Sequence, residues 1–186
     1  MATPPLLPIR TDRLLLRDFQ DSDFDGLQAY ASDPEVARFM EWGPNTPDDT
    51  RAFLGRAFAS QQLWPRLDLS LVIEHVVDRK VIGSIGLYLR DAANRTVEIG
   101  YCLNRDYWRT GIVFEASRAL IDAGFRTLGL HRVFATCDVR NTGSYGVMEK
   151  LGMRREAVLI QDRQIKGAWR DTYLYAVLAE EWVAQA

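Results

Sequence analysis

A mixed α/β fold with a mostly antiparallel sheet is predicted by three features of this 186-residue sequence. Three strand patterns follow one another in "DLSLVIEHV", "KVIGSIGLYLR" and "TVEIGYCLN", with short turns between them, as in an antiparallel meander. A strand, a helix and another strand then succeed each other, and this order implies a parallel crossover. The hydrophobic content of 47% and the charged content of 26% are typical of a globular protein.

One strand and three helices are predicted before the meander. "IRTDRLLLRDF" has the pattern of an opening strand, and helices are expected in "DSDFDGLQAYA" and "PEVARFM". The third helix has the clearest start in the chain. Thr46 is its predicted N-cap, because Pro47 suits a first helical turn and acidic residues follow it at the positive end of the helix dipole.

The remainder of the chain alternates between helix and strand. The predicted elements are a helix at about 111–127, a strand at "HRVFATCDV", a short helix at "TGSYGVMEKLG", and strands at "MRREAVLI" and "DTYLYAVLAEEW" joined by the "IKGAWR" turn. No linker, repeat or low-complexity segment interrupts this pattern. We therefore expect a single domain over residues 1–186.

Charge, cysteines and hydropathy exclude several classes of function. Lys and Arg number 23 against 25 Asp and Glu and are scattered, so no nucleic-acid surface is expected. Cys102 and Cys137 lie in strand patterns without CxxC spacing or a histidine cluster, which predicts buried free thiols and no metal site. Without a membrane-spanning run of about 18 apolar residues, or a secretory signal in "MATPPLLPIR", the protein is expected in the cytoplasm. The sequence leaves open both a monomer and a homo-oligomer.

The stretch "DYWRTGIVFEASRAL" places a turn directly before a helix. Unpaired N–H groups at a helix start, together with the helix dipole, attract a diphosphate whatever the side chains are. The stretch contains one glycine only, however. From these residues alone it is either an anion-binding helix start or the entrance to an ordinary core helix.

Seven segments in this order carry a resemblance that spans nearly the whole chain. They are "IRTDRLLLRDF", "SDPEVARFMEWGP", "VIGSIGL", "VEIGYCLNRDYW", "EASRALIDAGFRTLGLHRVFATCDVRNTGS", "VMEKLGMRREA" and "GAWRDTYLYAVL". This set resembles the GNAT superfamily of acyl-CoA-dependent N-acetyltransferases, in particular the RimJ/RimL type, which acetylates ribosomal-protein N-termini and small amines. The resemblance implies a bent sheet with helices on both faces, and a splayed parallel strand pair at 97–103 and 132–139 that admits acetyl-CoA.

The resemblance also implies which residues bind acetyl-CoA. The family holds the cofactor's pyrophosphate on a loop with two or more small residues, and the matching positions here are Trp108, Arg109, Thr110, Gly111, Ile112 and Val113. Arg109 replaces a glycine and Val113 a small residue; Arg109 is either a ligand of the pyrophosphate or an exposed turn residue. Asn141 resembles the family's pantetheine contact, with a helix cap as the alternative. The N–H of Leu103 is expected to polarise the thioester carbonyl.

Two residues are implied to transfer protons. Glu98, in "VEIGY", resembles the strand carboxylate that takes the proton of the amine through water, and its alternative is a solvent-facing or structural role. Ser144, in "NTGS", matches the serine that protonates the leaving thiolate in this subgroup, where Met148 occupies the position of the usual tyrosine. Its alternative is a helix cap, and the adjacent Tyr145 is a second candidate donor.

The predicted reaction is acetyl transfer from acetyl-CoA to a primary amine, either a protein N-terminus or a small molecule. Trp42, Trp64 and Trp169 are expected in the core or the pocket wall, and Glu41 beside Trp42 would attract a cationic amine. The alternative from another class is a degenerate member that keeps the fold as a binding or scaffold protein. The imperfect loop favours this alternative, whereas the presence of Glu98, Asn141 and Ser144 favours the enzyme.

Overall fold

The structure, a computed structural model, describes residues 6–63, 66 and 68–183. These residues form eight strands, namely β1 (Ile9–Arg10), β2 (Leu14–Arg17), β3 (Asp68–His75), β4 (Lys80–Asp91), β5 (Thr96–Leu103), β6 (Arg132–Asp138), β7 (Arg154–Ile165) and β8 (Ala168–Leu178). Their helices are α1 (Phe24–Ala31), α2 (Pro34–Ala37), α3 (Pro47–Gln61), α4 (Ile112–Thr127), α5 (Thr142–Lys150) and α6 (Ala179–Val183). Short 3-10 turns occupy Asp21–Asp23 and Arg105–Tyr107.

All eight strands form one sheet in the order β1-β2-β3-β4-β5-β6-β8-β7. Every neighbouring pair is antiparallel except β5 and β6, which are parallel. The antiparallel meander is β3-β4-β5, and the crossover through α4 joins the parallel pair. The predicted mixed α/β fold class is therefore confirmed.

The parallel pair separates part-way along its length. Its backbone register comprises Thr96 with Arg132, Val97 with Val133 and Glu98 with Phe134. Beyond these pairs β5 continues to Leu103 and β6 to Asp138, and pairing between them in the described residues ends at Glu98. The predicted splay is confirmed, and it opens a gap in the middle of the sheet.

Helices cover both faces of the sheet. Along β3, Leu71 and Ile73 belong to one core cluster and Val72 to another, because successive side chains of a strand point to opposite faces. The first cluster includes Ile112 of α4 and Met148 of α5. The second cluster packs against helices α1 and α3. The gap in the sheet is therefore flanked by helices on both faces.

The start of α3 agrees with its prediction. Thr46 Oγ1 accepts from Asp49 N at 3.2 Å, and Asp49 Oδ2 accepts from Thr46 N at 2.9 Å, which is a reciprocal capping box after which Pro47 begins the helix. Trp64, beyond the end of this helix, lies outside the described residues, as do the first five residues of "MATPPLLPIR".

Two predicted strands differ from the structure. "IRTDRLLLRDF" forms β1 and β2 rather than one strand, because Leu14 N donates to Thr11 Oγ1 and Thr11 N to Leu14 O, which closes a turn. The "AEEW" end of the last predicted strand is helix α6. There Glu181 Oε2 accepts from Leu178 N at 2.7 Å, which satisfies a free donor at the helix start.

Candidate active site

A cavity of about 1080 Å³ lies at the splay between β5 and β6. Nine of the ten residues predicted for the site line it, from Glu98 and Leu103 on β5 to Asn141 and Ser144 at the start of α5. The remaining predicted residue, Thr110, lies in the loop but outside the cavity wall. The fold therefore brings together segments that are more than 40 residues apart along the chain.

The loop before α4 presents a row of free backbone donors to this cavity. Arg109 has φ of 63° and Gly111 has φ of 82°, so both residues are left-handed and the backbone curls. Among the described residues, the N–H groups of residues 109–114 have no backbone or side-chain acceptor, and Glu115 N is the first to bond, to Gly111 O. A concave row of N–H groups at a helix N-terminus is an anion-binding arrangement.

Arg109 occupies a conformation that glycine adopts without strain. For a residue with a side chain, the left-handed region costs roughly 1 kcal/mol. Neighbouring contacts hold the loop nevertheless: Trp108 Nε1 donates to Leu103 O at 2.9 Å, and Tyr107 Oη donates to Asp78 Oδ2 at 2.6 Å. The hydrogen bond to Asp78 raises the pKa of Tyr107 to about 12, so this donor keeps its proton at neutral pH.

Glu98 lies at the point where the two parallel strands separate. Its Oε2 accepts from Arg90 Nε at 3.0 Å, and its Oε1 accepts from Thr136 Oγ1 at 2.8 Å across the gap. The side chain is 16% exposed and contributes to the cavity wall. Oε2 also forms an ion pair with Arg90 Nη2 at 2.9 Å, so Glu98 is held in place, while Oε1 retains a lone pair beyond its bond from Thr136.

Ser144 faces the gap from the first turn of α5. Its Oγ lies 3.0 Å from Tyr101 Oη on β5, and Tyr101 Oη also donates to the backbone oxygen of Ser144 at 3.1 Å. Asn141 Oδ1 accepts from Ser144 N at 3.2 Å, so Asn141 caps the helix and Ser144 does not. The Asn141 cap uses only the oxygen of the side-chain amide, and its contact with pantetheine stays a prediction.

The geometry agrees with the comparison to known proteins. The model of the Acetyltransferase (GNAT) domain family matches residues 13–154. The chain belongs to the GNAT acetyltransferase family. The N-acetyltransferase YnaD of Bacillus subtilis (strain 168), whose function is uncharacterized, is 35% identical over 177 residues, covering 94% of this GNAT chain and 98% of that protein.

Two further comparisons support the family and its RimJ/RimL-like branch. The crystal structure of a GNAT-family acetyltransferase from Bacillus anthracis is 33% identical, with a TM-score of 0.84 over 94% of this chain and all of that one (100%). Over 84 residues, 45% of this chain and 43% of that protein, identity is 31% to the ribosomal protein uS5-alanine N-acetyltransferase of Escherichia coli (strain K12). This GNAT protein is an acyltransferase.

The N–H of Leu103 points into the gap of the GNAT sheet. Asn104 N donates to Ile82 O of the β4 side at 2.7 Å. Successive N–H groups of a strand point to opposite edges, so Leu103 directs its own N–H towards the splayed β6 side. The carbonyl of Leu103 faces the same way, since Trp108 reaches it from the loop. This orientation directs a backbone donor into the gap, and its contact with the thioester carbonyl stays a prediction.

Two site residues of the GNAT chain escaped the sequence analysis. Tyr101 meets Ser144 although they are 43 residues apart, and Thr136 meets Glu98 across 38. The spacing of these residues in the sequence does not predict the two contacts, because both depend on how β5 and β6 separate. Tyr145, the other candidate donor, packs edge-on against Tyr173 at 5.7 Å and is not part of the cavity wall.

Both cysteines are buried free thiols, as predicted, and both border the cavity. Burial raises the pKa of Cys102 to about 12. Burial also raises the pKa of Cys137 to about 11. Neither thiol is therefore a nucleophile at neutral pH. No set of three or more His, Cys, Asp or Glu in residues 6–63, 66 and 68–183 is arranged as a metal site.

Aromatic side chains also line the cavity. They are Tyr30, Phe39, Trp42, Phe53 and Tyr88. The Tyr88 ring lies against two glycines: a Cβ on Gly86 would come within 2.7 Å of its Oη, and one on Gly100 within 3.3 Å of its ring. Burial raises the pKa of Tyr88, so the phenol stays neutral and contributes an uncharged surface to the cavity wall.

Two predictions about the acceptor side were wrong. Glu41 forms an ion pair with Arg163 at 3.1 Å and is absent from the cavity wall, so it is not placed to attract an amine. Trp169 is 58% exposed and away from the cavity, whereas Trp42 does line it.

Among the described helices, none combines the length and the apolar character that crossing a bilayer demands.

Proposed function

We propose that this GNAT protein binds acetyl-CoA at the splay and transfers its acetyl group to a primary amine. The observation that carries the proposal is the row of free N–H groups at residues 109–114, which open into the cavity beside Glu98 and Ser144. These donors match the needs of a diphosphate, because a helix N-terminus and left-handed backbone both favour an anion there. The cavity volume of about 1080 Å³ suffices for both substrates.

Each element of the site has one role in this proposal. Acetyl-CoA supplies an activated thioester. The loop at 109–114 holds the diphosphate, and the N–H of Leu103 donates to the thioester oxygen as negative charge develops on it. Holding thioester and amine in one gap of the sheet supplies a large part of the acceleration, because both reactants are then oriented.

Glu98 and Ser144 move the protons. Glu98, fixed by Arg90 and Thr136, accepts a proton from the amine through a water molecule. Ser144 Oγ donates to the leaving sulfur, and Tyr101, 3.0 Å away, restores that proton or orients the hydroxyl. Burial raises the pKa of Tyr101 well above its usual value, which keeps the phenol protonated for this role.

The acceptor is a protein N-terminal α-amine or a small-molecule amine. An α-amine with a pKa of about 7.7 to 8.0 is neutral near physiological pH far more often than lysine, at about 10.4. The Escherichia coli relative named for an alanine of ribosomal protein uS5 supports a protein terminus. The aromatic side chains of the cavity wall support an acceptor that brings apolar surface beside its amine.

The experiment combines calorimetric titration with acetyl-CoA and detection of released thiol. Three acceptors are compared: a lysine-free peptide with a free N-terminus, an N-acetylated peptide with one lysine, and a polyamine. We expect a binding signal with acetyl-CoA and thiol release with at least one amine. Binding without turnover on all three would favour the scaffold alternative, and no binding at millimolar acetyl-CoA would overturn the proposal.

A further inference from the structure

The turn between β1 and β2 contacts the first turn of α4, about 100 residues away in sequence. Glu115 Oε1 accepts from Thr11 Oγ1 at 2.5 Å and from Arg13 N at 3.1 Å. Glu115 Oε2 accepts from Arg13 Nε and forms an ion pair with Arg13 Nη2, each at 2.6 Å. Both carboxylate oxygens of Glu115 therefore accept hydrogen bonds from the segment that contains Thr11 and Arg13. We call the three side chains of Thr11, Arg13 and Glu115 the loop clamp.

Hydrogen bonds within the loop clamp restrict the motion of its side chains. Thr11 Oγ1 accepts from Leu14 N at 3.0 Å while it donates to Glu115, so its hydroxyl is held at both ends. The Glu115 side chain is 19% exposed. Burial raises the pKa of Glu115, but the bonds from Thr11 and Arg13 outweigh burial and hold that pKa below its ordinary value. The carboxylate is thus charged, and Arg13 is neutralised locally, at physiological pH.

Arg13 also reaches the loop that faces the cavity. Its Nη1 donates to Thr110 O at 3.1 Å. In a trans peptide the C=O and the following N–H point in opposite directions, so holding Thr110 O on the Arg13 side turns Gly111 N–H away from Arg13. Gly111 lines the cavity and Thr110 does not, which agrees with that orientation.

This chain has a particular need for such a contact. Arg109 occupies a left-handed conformation, φ 63°, that is strained for a side chain, and Gly111 is the only glycine in the loop. Because Gly111 tolerates both signs of φ, the peptide between Thr110 and Gly111 is free to flip on its own, and a flip would turn Gly111 N–H out of the N–H row. A charged side chain on the outer carbonyl opposes that rotation.

We propose that Thr11, Arg13 and Glu115 are positioning residues that hold the loop at 109–114 in its anion-binding conformation. The inference rests on the proposed function, since it assigns to the loop the diphosphate of acetyl-CoA. Arg13 acts through the loop carbonyl and not as a ligand of the diphosphate, because its charge is already paired with Glu115. The clamp fixes the peptide that Gly111 leaves free to flip.

The test compares two acetyl donors, of which only acetyl-CoA carries the diphosphate and its nucleotide. Acetyl-CoA and acetyl-pantetheine are titrated as donors against wild type, Arg13→Met, Glu115→Gln and the control Arg10→Met, which removes an exposed charge from the adjacent strand. For Arg13→Met we expect KM for acetyl-CoA to rise tenfold or more, and at least tenfold more than KM for acetyl-pantetheine. Glu115→Gln should shift the same ratio by a smaller factor, and Arg10→Met should leave it at the wild-type value.

The outcomes separate this inference from its competitors. Equal rises in KM for both donors would indicate general damage to the site and would overturn the proposed role of the clamp. A wild-type ratio of the two KM values in both variants would overturn it as well. A flattened salt dependence of acetyl-CoA binding in Arg13→Met would mean direct contact with the diphosphate, which also overturns it. If Arg13→Met does not fold, Glu115→Gln, which keeps the side-chain shape, decides by the same ratio. Absence of acetyl-CoA binding by wild type would instead contradict the proposed function.

Discussion

Ser144 Oγ on α5 lies 3.0 Å from Tyr101 Oη on β5, across the open end of the sheet. The contact bridges the splay, because β5 and β6 no longer pair at this level and α5 follows β6 in the chain. A serine alone is a weak acid, whereas a serine bonded to a neutral phenol can pass on a proton and regain one. The pair therefore defines how the leaving thiolate is expected to receive its proton.

Ser144→Ala is expected to lower kcat by roughly tenfold to a hundredfold or more, because the thiolate loses its donor. Acetyl-CoA affinity, measured by calorimetry, should change little, since the serine is not part of the loop at 109–114. Ser144→Thr, which retains a hydroxyl, is the matched control and should keep more activity than the alanine variant. Equal kcat in wild type and Ser144→Ala would remove the proposed role.

Tyr101→Phe is expected to reduce kcat less than Ser144→Ala if the phenol supports the serine. The double variant should then be hardly worse than Ser144→Ala alone, because residues that act as one unit are non-additive. Steady-state kinetics on the four proteins of this cycle measure the coupling. Strictly multiplicative losses would show that the two hydroxyls act independently, contrary to the hydrogen bond between them.

Glu98→Gln is expected to reduce activity most below about pH 8, where an α-amine is largely protonated and needs a base. Above that pH the amine loses its proton unaided, so the variant should approach wild type. The pH profile of kcat/KM with a peptide acceptor measures this difference. Glu156→Gln, another strand glutamate in an ion pair with Arg132, is the control and should match wild type across the range. A uniform loss at every pH would contradict general base catalysis.

Val113→Ala and Arg109→Ala are expected to change acetyl-CoA affinity in opposite directions. Val113 stands where the family has a small residue, so its truncation should tighten binding by up to about tenfold, or 1.4 kcal/mol. Arg109→Ala should weaken binding and flatten its salt dependence, because it removes a charge beside the diphosphate.

The control for Arg109 is Arg79→Ala. Arg79 has φ of 54° in an exposed turn outside the cavity wall, so it shares the residue type and the left-handed backbone of Arg109. Calorimetry at low and high salt compares the variants. If Val113→Ala only lowered the unfolding midpoint, residues 112–127 would be a core helix without a cofactor role.

Glu115 should make the free energy of unfolding depend on pH in the acidic range. Its pKa lies below the ordinary value of 4.5, so its contribution to folding is present above about pH 4.5 and is lost as pH falls through the folded-state pKa. Urea unfolding of wild type and Glu115→Gln should differ by about 1 to 3 kcal/mol near neutral pH. The difference should shrink steadily below pH 4.5, since Arg13 stays charged throughout. A difference in unfolding free energy that does not vary with pH would contradict the lowered pKa of Glu115 in the folded protein.

The sequence predicts individual strands and helix starts because residues close together in the chain determine them. The alternation in β3, β4 and β5 reflects a side-chain period of two, and the start of α3 follows from Thr46, Pro47 and Asp49 within one turn. The family resemblance predicts that Glu98, Ser144 and the loop at 108–113 belong to one site. Those residues do meet in one cavity, apart from Thr110, which turns its carbonyl to Arg13.

The remaining features depend on contacts between distant segments, which no local period encodes. The sequence alone determined a mixed α/β fold, its antiparallel meander, its crossover and the helix starts that carry their own caps. Only the tertiary structure decided where β5 leaves β6, that Tyr101 meets Ser144, and that Arg13 holds the loop from the far end of the chain. The physical reason is register: strand pairing and helix docking fix which side chains face each other across tens of residues, and a shift of one residue would reverse the faces they occupy.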